Sequence, residues 1–436
     1  MSQKIMLIYV SSTGNGKGCN LGNNNKFYYI ELKDNDDVFA KYGRVGTEGT
    51  TLTKTSAGLS GFNKLVKSKK AKGYVEVPLE LDVDETQIST GNSDVMMIAL
   101  SQIQSDQDSK ELIKKLVNQN IHNITSNTKI TFNVNSGLFK TPLGVVTKVG
   151  VNKALEILND IAKYVNDDGL IKAKDEDKVR QLSESYYAII PTTIDNLRPL
   201  NSHIYKNKRV SDQYDICNAL LQSLTLIENE KESKISELKA DNTLPKVFNT
   251  ALVKLNDAVE FTRVSDYFEK SKNQQHGRTT SGAKVVSIYK INIESDDKAY
   301  RGDLPNQMEL WHGTKVANIL SILKSGLLMP KYSPGSVTGY MFGQGLYFSN
   351  QSSKSLNYCD GMYWNSSSRN SNKIYMFVAD IAMGNYQVPK GSTSKLPDTG
   401  YDSYWAQPGK SGIMNDEMIV FKNEQIRLKY LLEIEV

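Results

Sequence analysis

Three short segments in the last third of the chain carry residue types suited to transferring a sugar away from a flat, cationic leaving group. The first, Leu310-Trp311-His312-Gly313-Thr314, puts an imidazole and a residue without a side chain at the end of an apolar run. Gly313 lets a ligand approach the backbone, where one extended residue offers both a donor and an acceptor, the pair a carboxamide needs. His312 can bond a sugar hydroxyl. The second, Gly345-Leu346-Tyr347-Phe348 followed by Lys354-Ser355-Leu356-Asn357-Tyr358-Cys359, holds two tyrosines eleven residues apart and a serine three before the second. Electron-rich faces at Tyr347 and Tyr358 suit an electron-poor ring. Ser355 lies on the same side of a helical turn as Tyr358, so its hydroxyl can reach the carboxamide. The third, Asn415-Asp416-Glu417-Met418-Ile419-Val420, opens an apolar strand with a carboxylate. Breaking the ring–sugar bond builds positive charge on the sugar; a carboxylate there stabilises it and can orient or deprotonate an acceptor. Each residue alone has a plainer reading: a structural histidine, core tyrosines, a solvated strand-end glutamate. The combination in one stretch of chain points to chemistry.

The flanking elements position these groups. Met308–Trp311 reads as extended, and Thr314 is suited to cap a helix with apolar face Ile319, Leu320, Ile322 and Leu323, ended by Gly326. Strand patterns at Val285–Glu294, Ile374–Val378, Glu417–Phe421 and Lys429–Ile434, separated by Gly- and Ser-rich loops, make residues 241–436 an α+β unit. Upstream, residues 96–240 read as helical. Lys153–Val165 places Ala154, Ile157, Leu158, Ile161 and Val165 on one face, Asp175–Ile190 ends at Pro191, and Ser211–Leu238 continues the pattern. Several amphipathic helices in this span predict an all-α bundle. Residues 1–85 read as β-rich, with strands at Ile5–Val10, Lys26–Leu32 and Phe39–Val45, turn glycines Gly46 and Gly49, and one Lys-rich helix at Phe62–Lys72 stopped by Gly73. The acidic, polar run 79–94 looks like a linker, and the domain boundary is drawn at 86–95. The whole is a multidomain α+β chain without a repeat of 20–50 residues.

Composition excludes other classes. The 436 residues suffice for several domains, and 39% hydrophobic with 23% charged residues is ordinary for a globular chain. No apolar run approaches the ~20 residues of a membrane helix, so no membrane partner is expected. Cys19, Cys217 and Cys359 are far apart, which excludes a cysteine-built zinc finger and fits a reducing compartment. No metal is expected. The net charge of +5 is uneven: residues 1–75 hold 12 Lys/Arg against 5 Asp/Glu, a net of +7, which leaves −2 for the remainder. A basic N-terminal segment fits nucleic-acid contact as well as a solvated surface.

The Trp-His-Gly-Thr segment, the Gly339-Tyr340-Met341-Phe342-Gly343-Gln344-Gly345-Leu346-Tyr347-Phe348 string, the Lys354–Cys359 string and the Glu417 segment closely resemble the catalytic domain of the poly(ADP-ribose) polymerases. That resemblance implies a split antiparallel sheet, NAD+ as substrate, and a catalytic His312, Tyr347 and Glu417, with His312, Gly313, Thr314, Ser321, Tyr347, Ser355 and Tyr358 binding NAD+. A glutamate at position 417 goes with polymer formation in the family. Asn23–Ile30 and Tyr42-Gly43-Arg44-Val45-Gly46 resemble the WGR domain of DNA-dependent members, with Tyr42 in place of the name-giving Trp. This implies DNA breaks or ends as partner, with Tyr42, Arg44, Lys67, Lys69 and Lys70 as candidate contacts, acceptor proteins including the chain itself, and a nuclear location in a eukaryote or a cytoplasmic, DNA-associated one otherwise. Thr141-Pro142-Leu143-Gly144 and the helix after it resemble the family's regulatory helical domain. Departures fall on the adenosine side. Leu328 stands where the family often has Arg, Ser321 where Gly is common, and Asn218 and Gln222 where acidic residues face the cofactor, unless Asp212 and Asp215 fill those places. An enzyme adding single ADP-ribose units, and a DNA-end scaffold with a silent transferase domain, are the competing readings.

Overall fold

The computed structural model describes residues 3–11, 24–45, 47–77, 79–80, 95–133, 138–141, 144–164, 173–191, 210, 212–221, 223–225, 248–329, 341–363 and 372–436. They divide into two compact units, one chiefly of residues 1–94 and 121–227, the other chiefly of 95–120, 228–332 and 339–436.

The first unit opens with an antiparallel sheet. Strands Gln3–Ser11, Asn24–Leu32, Val38–Arg44 and Thr50–Lys54 follow one another across it, and Val75–Glu76 returns beside the first. Period-two alternation sends Leu7, Tyr28, Ile30, Leu32, Val38 and Ala40 to one face, where Phe62 of helix Gly58–Lys70 covers them. The helix starts four residues earlier than expected because Gly58 takes a positive φ (53°) and its N–H bonds the Asp36 carbonyl at 2.9 Å. Gly73 stops it with φ 85°.

The rest of this unit is built on helices Lys148–Ala162 and Glu176–Ile189 and helical residues 212–221. Thr147 caps the first, its hydroxyl accepting from Gly150 N at 3.1 Å. The buried stripe Val151, Ala154, Leu158 and Ile161 follows the helical period. The expected all-α bundle needs correction. Strands Thr131–Asn133, Leu138–Thr141 and Gly144–Val146 form a small antiparallel sheet, and Leu79–Glu80, expected as linker, adds a fourth strand. Strands of two to four residues are too short to show a period. Thr141 pairs with Gly144 in this sheet, and the helix expected after this string follows at Lys148. Pro142, Leu143, Gly46, Val165, Gln222 and residues 81–94 and 226–247 lie outside the described residues.

The second unit holds the two sheets that carry the site. A six-stranded sheet runs Gln307–Gly313, Lys373–Ala382, Ile426–Glu435, Lys284–Ile293, Thr250–Lys254, Gln104–Ser105, antiparallel except for the last pair. A four-stranded sheet runs Leu346–Phe348, Glu417–Val420, Ser403–Ala406, Tyr386–Gln387. Trp311 and Ser349 bridge the two, with N···O distances of 2.9 and 3.1 Å in both directions. The Trp311 ring is fully buried and stacks on Tyr267 of helix Ala258–Lys270, with centroids 4.6 Å apart. Residues 95–120 belong here, although their sequence reads with the helical segment. The Asp106 carboxylate accepts Ser109 N at 2.7 Å and Lys254 N at 2.8 Å, tying the start of helix Gln107–Asn127 to the sheet. Among the described residues no helix is long and apolar enough to cross a membrane.

Asp106→Ala should cost about 2 kcal/mol, since two part-buried backbone N–H groups lose their acceptor. Burial would raise the Asp106 pKa, but the bonds from Ser109 and Lys254 outweigh it and hold it below the ordinary value. Its contribution is therefore present above the unfolded pKa and lost as pH falls through the folded one. Denaturant unfolding at neutral and acid pH reads both; an unchanged midpoint at neutral pH would contradict the assignment.

Candidate active site

The strand Gln307–Gly313 ends at the site, with His312 opposite Phe377 and Gly313 opposite Met376. The His312 ring packs on Phe348, and Nδ1 lies 3.0 Å from the Tyr347 carbonyl oxygen. A carbonyl only accepts, so Nδ1 carries the proton and Nε2 keeps a lone pair. Burial lowers the His312 pKa and the bond to Tyr347 opposes it, so the ring stays neutral at pH 7. A neutral Nε2 can accept from a sugar hydroxyl.

Gly313 has a second reason to be glycine. A Cβ there would lie 1.8 Å from the Ser355 carbonyl oxygen and 2.7 Å from its carbon. The short helix Ser352–Leu356 thus packs backbone to backbone on the strand end. The buried Ser355 hydroxyl donates to the Trp311 carbonyl at 3.0 Å, which leaves its lone pairs able to accept a carboxamide N–H.

Tyr347 pairs with Ile419 on the Glu417 strand, and its hydroxyl accepts from Phe342 N at 2.9 Å and donates to Gly343 O at 2.8 Å. The ring is thereby fixed as a wall, and it remains half-buried. Tyr358, also half-buried, has its phenol pushed up to about 12 by burial and by the charge of Glu417. Tyr358 and Glu417 thus lie within electrostatic reach of each other. Glu417 forms an ion pair with Lys354, both side chains mostly buried at 15% and 12% exposure. Lys354 Nζ also bonds the Asp416 carbonyl at 3.3 Å. Burial lowers the Lys354 pKa, and Glu417 opposes that shift. The Asp416 carboxylate is drawn off by Trp405 Nε1 at 2.8 Å, which separates the two adjacent carboxylates by task.

Thr314 does not cap the following helix. Val316–Ser325 begins one turn position later, after Lys315, and the Asp360 carboxylate accepts Val316 N at 2.5 Å. The Thr314 hydroxyl accepts from Asn318 Nδ2 at 3.2 Å instead. Gly326 ends the helix with φ 68°. Ser321 lies half-buried on this helix; no described contact ties it to the cluster. Leu328 is exposed.

Two residues of the site were not assigned roles from sequence. Lys354 is the sole charged residue in Gln351–Cys359, which was a readable signal. Asp360 caps from forty-four positions away, a contact no local pattern encodes.

Of the candidate DNA contacts, Tyr42 and Arg44 lie on strand Val38–Arg44 of the N-terminal sheet, and Lys67, Lys69 and Lys70 on the helix Gly58–Lys70. Tyr42 stacks on Tyr28 with centroids 4.8 Å apart and 7° between planes, so one of its faces is occupied. Lys69 Nζ sits 3.9 Å over Tyr28, and burial with Lys72 and Lys54 lowers its pKa. Lys70 pairs with Glu76 at 2.7 Å, while Arg44 and Lys67 are exposed.

A profile of the poly(ADP-ribose) polymerase catalytic domain matches residues 258–436, one of the WGR domain matches 12–80, and one of the poly(ADP-ribose) polymerase regulatory domain matches 106–247. The chain is 24% identical to poly(ADP-ribose) polymerase 2 of Homo sapiens over 95% of its own length and 77% of the relative's. It is 24% identical to that of Arabidopsis thaliana over 95% and 71%. Against poly(ADP-ribose) polymerase 1 of Gallus gallus the identity is 26% over 94% of this chain and 44% of the relative. The chain belongs to the poly(ADP-ribose) polymerase family. Its catalytic half is an ADP-ribosyltransferase domain with NAD+ as substrate. Read in that light, the neutral His312, the Ser355 lone pairs and the half-buried tyrosines are compatible with a ribosyl-nicotinamide.

Gly313→Ala should destabilise the second unit and abolish ligand binding, because the clash is with backbone and no rotamer relieves it; a folded variant with wild-type affinity for a benzamide would contradict the packing. Lys354→Met should slow NAD+ turnover about tenfold or more, since the mostly buried Glu417 side chain loses the group that fixes its position; wild-type kcat in this variant would mean that the pair does not matter to the reaction.

Proposed function

We propose that this chain is a protein poly-ADP-ribosyltransferase stimulated by DNA breaks. It cleaves the nicotinamide–ribose bond of NAD+ and transfers ADP-ribose to proteins, itself included, and to the ends of growing chains. The observation that carries the reading is the mostly buried Lys354–Glu417 pair beside Tyr358. A mostly buried carboxylate at the start of a strand, held by a lysine, is suited to stabilising a developing ribosyl cation and to orienting an acceptor hydroxyl. A neutral histidine facing a sugar hydroxyl and a backbone strand end facing a carboxamide supply the binding side. Loss of nicotinamide is the chemistry that NAD+ brings; the residues bind, orient and stabilise charge.

The N-terminal unit supports the DNA part. Its 12 basic against 5 acidic residues in 1–75, the exposed Arg44 and Lys67, and the half-buried Tyr42 and Lys69 support a basic surface of the kind that meets phosphates. Tyr42 contributes by ordering Tyr28 and Lys69 more than by a free face. We place the protein in the nucleus of a eukaryote, or on DNA in the cytoplasm otherwise.

Labelled NAD+ with and without nicked DNA tests the reading. A DNA-dependent ladder or smear on a gel is expected; one discrete band would mean single-unit transfer, and no label a silent scaffold. Glu417→Gln, which removes charge at nearly constant volume, should lower chain growth by ~10²–10³ while the fold and benzamide binding persist; wild-type polymer would overturn the assignment. Removing residues 1–77, which leaves strand Leu79–Glu80 in its sheet, should abolish the DNA response and retain basal turnover. DNA binding by the intact chain should fall with salt at a log–log slope of about −0.9 per phosphate neutralised.

A further inference from the structure

A chain of hydrogen bonds behind the Lys354–Glu417 pair joins the two segments that carry it. His276 Nδ1 lies 3.0 Å from the hydroxyl of Ser353, the residue before Lys354, and Nε2 lies 3.3 Å from Nδ2 of Asn415, two residues before Glu417. Asn273 closes the ring: its backbone N–H donates to Ser353 Oγ at 2.8 Å, and its Nδ2 donates to Asn415 Oδ1 at 2.9 Å and to Gln351 Oε1 at 3.1 Å. Ser353 is fully buried and His276 half-buried.

One donor fixes the direction of every bond in the chain. The backbone N–H of Gln275 meets the Asn273 side chain at 3.0 Å and can only donate, so that atom is Oδ1 and the other is the amide nitrogen. The Asn273 amide nitrogen donates, so the Asn415 atom it meets is Oδ1. Asn415 then presents Nδ2 to His276, and Nε2 must accept. The proton of His276 therefore sits on Nδ1, pointing at Ser353. An imidazolium does not fit, because its Nε2–H would face the Asn415 N–H, and flipping Asn415 moves the conflict to Asn273, which Gln275 holds. The charged group facing His276 is the Lys354 ammonium, which with burial disfavours the cation further; Glu417 and Asp416 are already engaged by Lys354 and Trp405.

We infer that His276 is a positioning residue for the transfer reaction: in its neutral Nδ1–H form it clamps the Ser353–Lys354 turn to the Asn415–Glu417 strand and so sets the Lys354–Glu417 geometry. This rests on Glu417 being the catalytic carboxylate. Its use is to make turnover fail on the acid side of 6.5, where His276 protonates and the clamp opens.

The test compares pH–rate profiles of NAD+ turnover in the full chain for wild type, His276→Gln and His276→Ala, with benzamide affinity and melting temperature measured alongside. His276→Ala should lower kcat about tenfold or more through misplacement of the carboxylate, with KM and benzamide affinity nearly unchanged. His276→Gln, which can still accept from Asn415 and does not titrate, should recover part of kcat and shift the acid limb to lower pH. Wild-type kcat in His276→Ala, or an unmoved acid limb in His276→Gln, overturns the inference. Should His276→Ala not fold, Asn415→Ala severs the same chain from its other end and should give the same kcat loss. Glu417→Gln run in parallel separates the two ideas: if it is inactive while the His276 variants behave as wild type, only the clamp is wrong, and if it is active, the site assignment fails first.

Discussion

The constraint on which the rest of the site depends is the cost of holding the Glu417 carboxylate largely out of water. A buried carboxylate without a partner would take up a proton and lose the charge that a developing cation needs. Lys354 supplies the partner, and that demand propagates outward. Lys354 must be held by the short helix Ser352–Leu356. The helix in turn lies against Gly313, where even a methyl group has no room, and is pinned by the Ser355 bond to Trp311. Trp311 bridges the two sheets through Ser349 and anchors in the core through Tyr267. The contacts that hold one charge thus extend as far as the helix Ala258–Lys270.

Much of this was legible in the sequence because it lies in local strings. His312, Tyr347, Tyr358 and Glu417 sit on short segments with strong strand or turn signals, and the structure brings His312 against Tyr347 and Tyr358 near Glu417. The strands Lys284–Ile293, Lys373–Ala382 and Ile426–Glu435 followed from apolar runs; the first lies one residue from its pattern, and the other two are longer than theirs. What was not legible depends on contacts distant in sequence. The cap of Val316–Ser325 comes from Asp360 rather than the adjacent Thr314, and the direction of Asn415 is set by a backbone N–H at Gln275. The small sheet at Thr131–Val146 escaped because its strands are shorter than any period, and the pairing of Gln104–Ser105 with Thr250–Lys254 because a two-residue parallel strand leaves no trace in composition.

The N-terminal unit shows a related economy. Tyr42 replaces the larger aromatic of its domain type, and it stacks on the buried Tyr28, over which the Lys69 ammonium sits. The exposed positions Arg44 and Lys67 then add charge without the ordering cost of a loop.

A double-mutant cycle in Lys354 and Glu417 tests the central claim most directly. Turnover of NAD+ would be measured for wild type, Lys354→Met, Glu417→Gln and the double variant. If the two side chains act as one unit, the double variant should be about as slow as Glu417→Gln alone, because the lysine has nothing left to position once the carboxylate is gone. Losses that simply multiply would mean that Lys354 and Glu417 act independently, and that the buried pair is not what organises the site.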